Sequence, residues 1–266
     1  MDAEAHYNNR LLVPDYPRYL AAWRLAAPAF RQAMPGAKLG VPYGAGRRER
    51  LDLFPGGGSA AALFLHGGYW QALGREDFSH LAAGLVARGV DVAIPSYDHC
   101  PAVTLSHIVA QARAAAILTH RMTGRRLLAI GHSAGGHLSA MLLATDWRRI
   151  NPALPEDLVL AALPISGVFD LAPLVGTTPG KALPLPPATL ATCSPRFLPA
   201  PGRPLHCLVG ALESAGFRDQ SRDMAMAWGG TVEEAPGAHH FTVIDPLAEP
   251  DSPLVATALR LCHAGR

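Results

Sequence analysis

Apolar positions change period along the chain, and the changes mark its elements. Between residues 18 and 34, Leu20, Trp23, Ala27 and Phe30 recur every three or four positions, which predicts an amphipathic helix stopped by Pro35-Gly36. Residues 7–17 before it read as irregular and polar. Residues 48–54 alternate polar and apolar, the pattern of a half-buried antiparallel strand at a sheet edge. After a Gly-rich turn, residues 60–65 (Ala-Ala-Ala-Leu-Phe-Leu) are apolar without interruption, as a central strand covered on both faces would be. A strand and helix rhythm comes next. Helices are expected at 77–88, 104–122 and 135–145, with strands at 90–94, 127–130 and 158–165. After a break come strand 205–209, helix 217–228, strand 231–234 and a closing helix 253–262. The fold class is α/β, with a mostly parallel central sheet and helices on both faces.

The break spans residues 173–204, where prolines crowd in without periodicity. Residues 205–266 are too few for an independent domain, so the proline-rich stretch reads as a surface excursion over the site, a rim or small cap that returns to the same sheet. Residues 1–266 are thus expected to form a single domain, with 1–47 as an N-terminal helical extension. No internal repeat interrupts the pattern.

Composition narrows the classes. With 266 residues and 49% hydrophobic content the chain can bury one extended core. Its net charge is +2, and its arginines fall in scattered pairs (Arg47-Arg48, Arg125-Arg126, Arg148-Arg149) rather than in a stripe, which argues against nucleic-acid or acidic-membrane partners. The start Met1-Asp2-Ala3-Glu4 lacks a basic and apolar leader, and no apolar run is long enough to span a membrane, so a cytoplasmic protein is expected. Cys100, Cys193, Cys207 and Cys262 lie far apart with no C-x-x-C, which predicts neither a disulfide framework nor a zinc site. No other metal-ligand spacing or cofactor motif occurs. A homodimer is left open.

Three loops at strand ends carry the candidate chemistry, where open α/β sheets hold ligands. The first is Gly131-His132-Ser133-Ala134-Gly135, a G-x-S-x-G turn between a strand and a helix. Small flanking residues suit a reversal so sharp that a Cβ would collide, and the bend lifts Ser133 clear of the sheet. A serine hydroxyl needs a base, and the base needs an orienting acid. His240 is the expected base, with His239 as its rival or helper; the other histidines sit on helical faces, in strands or turns, or near the ends. Glu213, beyond strand 205–209, is the expected acid, since Asp219 and Asp223 fall on a solvated helix face. The order serine, acid, histidine is that of α/β-hydrolases. The third loop is His66-Gly67-Gly68-Tyr69-Trp70, whose glycines let backbone N–H groups face an oxyanion. Gly68 and Tyr69 are assigned as donors with Ala134, while Gly67, Trp70 and His132 are placed in the substrate pocket, where an aromatic ring would wall the acyl or aryl side.

H-G-G-Y-W, G-H-S-A-G-G and the C-terminal H-H-F together resemble the α/β-hydrolase fold and, within it, the kynurenine formamidase (arylformamidase) group related to hormone-sensitive-lipase-like esterases. The likeness runs from about Glu49 onward, and Pro95-Ser96-Tyr97-Asp98-His99-Cys100-Pro101 looks like the D-Y-x-x-x-P turn of these esterases. The resemblance implies a serine hydrolase with Ser133 as nucleophile and His240 as base, acting on a small acyl or formyl substrate such as N-formylkynurenine. It departs at the acid, where eukaryotic formamidases are expected to carry Asp and this chain offers Glu213. A broad carboxylesterase shares every one of these residues. A non-catalytic binding protein on the same fold is opposed by the intact Ser133 and His240.

Overall fold

The alternating side chains of one strand explain the whole layering. In the computed structural model, which describes residues 2–264, Ala61, Leu63 and Leu65 face one hydrophobic core while Ala60, Ala62 and Phe64 face a second. A strand buried on both faces therefore reads as an unbroken apolar run. Met1 and Gly265-Arg266, the ends of the expected 1–266 domain, lie outside the described residues.

That strand is β3 of a sheet made by β1 (Lys38–Pro42), β2 (Arg50–Phe54), β3 (Ala60–Leu65), β4 (Val90–Pro95), β5 (Leu127–His132), β6 (Val159–Ile165), β7 (His206–Gly210) and β8 (Thr231–Ala235). The spatial order is β1-β2-β4-β3-β5-β6-β7-β8, with β1, β2 and β4 antiparallel and the rest parallel. The core on one face takes its helical side chains from Leu105–Thr123, Ala134–Leu143 and Ala215–Trp228; the other takes them from Tyr16–Ala33, Ala83–Ala87 and Pro253–Cys262. Helices on both faces are what crossover connections between parallel strands require.

Four expectations need correction. Strand β2 is not an edge, because β1 pairs outside it. Its polar position, Asp52, is fully buried and held by Arg31 (3.0 Å), Arg75 (3.0 Å) and the Gly40 N–H (2.7 Å), so a paired buried charge imitated a solvent-facing alternation. The helix expected at 77–88 is broken into Arg75–Phe78, a tight turn Ser79–Ala82 and Ala83–Ala87. Residues 7–17 are not irregular throughout: short helices Ala3–Tyr7 and Asn9–Leu12 precede Tyr16–Ala33. The proline-rich stretch carries its own helix, Pro187–Cys193, whose first residue is a proline with no N–H to lose there. No helix among the described residues is long and apolar enough to cross a membrane.

Candidate active site

Strand β5 runs into Ser133, which sits at φ 56° and ψ −116° before helix Ala134–Leu143 begins. A non-glycine residue is strained there, and the packing around it enforces the strain. A Cβ on Gly131 would lie 2.0 Å from the Gly135 carbonyl oxygen, and one on Gly135 would lie 1.9 Å from that of Leu65. Both flanking glycines are thus demanded by backbone approaching backbone. The Ser133 N–H donates to Ile165 O at 2.8 Å, which fastens the turn to β6.

The acid and base expected from the sequence come together. His240 Nδ1 donates to Glu213 Oε2 at 2.6 Å, with both side chains buried. Glu213 Oε1 accepts from the Gly210 N–H (2.8 Å) and from Ser166 Oγ (2.5 Å), so three donors converge on one carboxylate. The rivals face elsewhere: Asp219 pairs with Arg222 at 3.0 Å and Asp223 with Arg196 at 2.9 Å. The His240 ring is held between Phe217 and His132, each with its ring centre 4.7 Å away. His239, expected to help orient His240, instead bonds the Tyr19 hydroxyl at 2.9 Å and ties the helix Tyr16–Ala33 to this loop. Ser133 and His240 border the same cavity. No hydrogen bond joins their side chains among the described residues, a contact that in this chemistry tightens as substrate is bound.

His132 lies between the two. Its Nε2 donates to the His240 carbonyl at 2.8 Å, which supports the loop from below. Burial, reinforced by the neighbouring His240, pushes the His132 pKa well below the ordinary imidazole value, so His132 stays neutral.

The oxyanion-loop expectation meets an unusual backbone. Gly68, Tyr69 and Trp70 take φ of 112°, 52° and 56° in succession. The N–H groups of Gly68, Tyr69 and Ala134 donate to no other described residue. Gly67 packs against the serine turn, where a Cβ would sit 3.1 Å from His132 Nδ1 and 3.3 Å from Ser133 Cβ. The loop is braced underneath by His66, stacked on Tyr97 at 4.2 Å, while the Tyr97 hydroxyl donates to His66 O at 2.8 Å. Trp70, expected in the pocket wall, is fully buried behind the loop with its ring edge-on to His137 at 5.1 Å. Two consecutive positive φ values turn the aromatic after Tyr69 into the core, a reversal that the sequence pattern does not announce.

The cavity over Ser133 has a volume of about 430 Å³. Gly67, Tyr69 and His132 border it as expected. Residues 8–24 and 67–78 supply most of the wall in nearly equal shares, however, and the proline-rich stretch supplies only Thr178 and Pro179.

No family model matches the chain. A kynurenine formamidase of Salmo salar is 32% identical over 242 residues, which cover 84% of this chain and 81% of that protein. The chain belongs to the kynurenine formamidase family. A second kynurenine formamidase, from Danio rerio, is 29% identical over 238 residues. A structure from Silicibacter sp. TM1040, described provisionally as a thioesterase, matches with a TM-score of 0.89 and 33% identity over 97% of this chain and 99% of its own. An esterase of Pyrobaculum calidifontis shares the fold at a TM-score of 0.73 and 16% identity, covering 95% of this chain and 92% of its own. The chain is accordingly a formamidase-like hydrolase of the α/β-hydrolase fold, and esterase activity fits the same relationships.

Within this member of the kynurenine formamidase family, sequence reasoning missed Ser166 and the N-terminal wall. Ser166 comes directly after β6 at φ 50° in a stretch, Ser-Gly-Val, that carries no motif. Its signal was positional only, since it follows a parallel strand beside the one that carries the Ser133 turn.

Proposed function

We propose that this chain hydrolyses an aryl formamide, N-formylkynurenine in the first place, through a formyl-enzyme on Ser133. The observation that carries the reading is the buried Glu213–His240 pair, 2.6 Å apart, whose histidine borders the cavity on which the strained Ser133 turn opens. His240 takes the Ser133 proton as Oγ attacks the formyl carbon, and Glu213 stabilises the imidazolium that forms. The tetrahedral oxygen is taken up by the unpartnered N–H groups of Gly68, Tyr69 and Ala134. The C–N bond then breaks as His240 returns the proton to the aryl nitrogen. Water, deprotonated by His240 in turn, attacks the formyl ester, and the Ser133–formyl bond breaks as His240 returns that proton to Oγ, releasing formate. Formyl is the smallest acyl group, so the cavity volume serves the leaving group rather than the acyl side.

A second reading, hydrolysis of small aryl esters or thioesters, is favoured by the Silicibacter protein described as a thioesterase. The two separate on kcat/KM for N-formylkynurenine against 4-nitrophenyl acetate; negligible turnover of the formamide leaves the ester reading standing. Ser133→Ala is expected to abolish both activities with the thermal melt preserved, and residual turnover near the parent level would refute the nucleophile assignment.

A further inference from the structure

The wall of the cavity built by residues 8–24 holds groups that the chemistry at Ser133 does not use. Asn9 is buried, 4% exposed, and borders the cavity, yet its Nδ2 has no hydrogen-bond partner among the described residues. Burying an unsatisfied amide is costly, and such a group is retained where a ligand satisfies it. Next to it Arg10 also borders the cavity, exposed, over the Tyr16 ring at 5.5 Å and in no ion pair among the described residues. No carboxylate lines this cavity; its other arginine, Arg24, is turned to Asp77 at 3.2 Å. The acids flanking Asn9 and Arg10 are already taken: Glu4 accepts from Asn8 Nδ2 and the Thr178 N–H, both at 2.6 Å, and Asp15 pairs with Arg18 at 2.8 Å. The uncompensated charge at the cavity wall is therefore positive.

These residues are held in place from several sides. The Tyr69 hydroxyl donates to Tyr7 O, Ser214 Oγ to His6 O at 2.6 Å, and Gln220 Nε2 to the Tyr7 hydroxyl at 3.1 Å. The oxyanion loop and the loop of the acid thus both fasten the segment that carries Asn9 and Arg10, which fixes where a leaving group bound there would sit relative to Ser133.

We propose that Asn9 and Arg10 form a carboxylate-binding subsite that selects leaving groups whose side chain bears a carboxylate, with Arg10 as counter-charge and the Asn9 carboxamide as directional partner. This rests on the reading that Ser133 cleaves an aryl formamide, and it specifies which aryl formamide is preferred. A half-turn of the carboxamide about its terminal torsion exchanges its oxygen and nitrogen at little cost, so the unpartnered donor can be presented to the cavity.

The test is the ratio of kcat/KM for N-formylkynurenine to that for its side-chain carboxamide, a near-isosteric pair in which a neutral group replaces the carboxylate. The parent protein is expected to favour the carboxylate by about tenfold or more, as a charge-assisted hydrogen bond would give. Arg10→Ala should bring the ratio close to one, mainly through KM, and Arg10→Lys should restore part of it. Asn9→Ala should lower the ratio as well; since Arg10 is exposed, its variants report even where Asn9→Ala fails to fold. A parent ratio near one, or an unchanged ratio in Arg10→Ala, overturns the subsite. If the parent cleaves neither formamide but does cleave 4-nitrophenyl acetate, the formamide reading has failed instead. The same ratio is then taken on aryl acetates with and without a carboxylate on the leaving phenol, and it decides the subsite by the same criterion.

Discussion

Acidification should loosen this fold through histidines that are buried without charge, and His137 gives the clearest measure. It lies on the helix after Ser133, fully buried, with Nε2 donating to Cys193 O at 2.7 Å and Nδ1 unpartnered. Burial lowers its pKa from 6.5 to about 4. The unfolded chain therefore takes up a proton below pH 6.5 that the folded chain refuses until about pH 4, and stability falls as pH drops through this window. Taking one pKa unit as about 1.4 kcal/mol, lowering the pH from 7 to 5 costs about 2 kcal/mol through this one side chain. His66, lowered to about 3 for the same reason, adds a similar loss. Against a total of about 5–15 kcal/mol for a typical domain, the sum is large. Urea melts at pH 7, 6 and 5 would measure it. His137→Gln, which keeps a donor for Cys193 O and cannot titrate, should flatten the pH slope by about one proton. A slope identical to the parent's would mean that His137 is charged when folded, or protected in the unfolded chain, and would refute the argument.

The remaining predictions concern the geometry around Ser133. Gly135→Ala places a Cβ 1.9 Å from Leu65 O and should destabilise by about 3 kcal/mol or more, with loss of activity, because only backbone can yield. Gly124→Ala, at φ +69° with nothing within 4 Å, should cost only about 1 kcal/mol; equal shifts in the two thermal melts would dismiss the steric account. Glu213→Gln should lower kcat by about a hundredfold or more, whereas Asp219→Asn, paired at the surface with Arg222, should stay within about twofold. Comparable losses would mean that the wrong acid was chosen. Ser166→Ala removes one donor from Glu213 Oε1 and should cost about tenfold in kcat with KM little changed, the size of one hydrogen bond to a charged group.

The fold was legible wherever burial and period agreed. Residues 60–65 and 127–130 read as central strands because a strand covered on both faces has no polar position to confuse the pattern. Strand β2 misled for the opposite reason: Asp52 is polar by type and buried by circumstance, with Arg31 and Arg75 brought to it from distant positions. Strand β1 went unseen because Lys38-Leu39-Gly40-Val41-Pro42 combines an exposed edge with two strand breakers, and its pairing with β2 is irregular between Lys38 and Val41. In each case the deciding contact lies outside the window in which a periodicity can be read.

The site divides along a related line. Ser133, Glu213 and His240 could be picked out as candidates because the chemistry expected of them demands particular residue types in a particular order, and the parallel sheet brings the ends of their strands to one edge. The pocket obeys no such demand. A wall needs only volume and a few polar groups, so Trp70 could be assigned to it on residue type while the backbone at φ 52° and 56° sent the ring into the core. The proline-rich stretch looked like the rim because it interrupts the rhythm and too few residues follow it for an independent domain. Yet the largest single share of the wall comes from residues 8–24, which reach the site through contacts such as Tyr69 with Tyr7 and His239 with Tyr19, separated by 62 and 220 positions. Such long-range contacts leave no local signature. Substrate choice in this chain should therefore track its first two dozen residues more closely than its motifs, and exchanging residues 2–24 for those of a relative should change leaving-group preference while sparing acyl-group preference. A changed acyl preference with an unchanged leaving-group preference would place the selecting wall elsewhere.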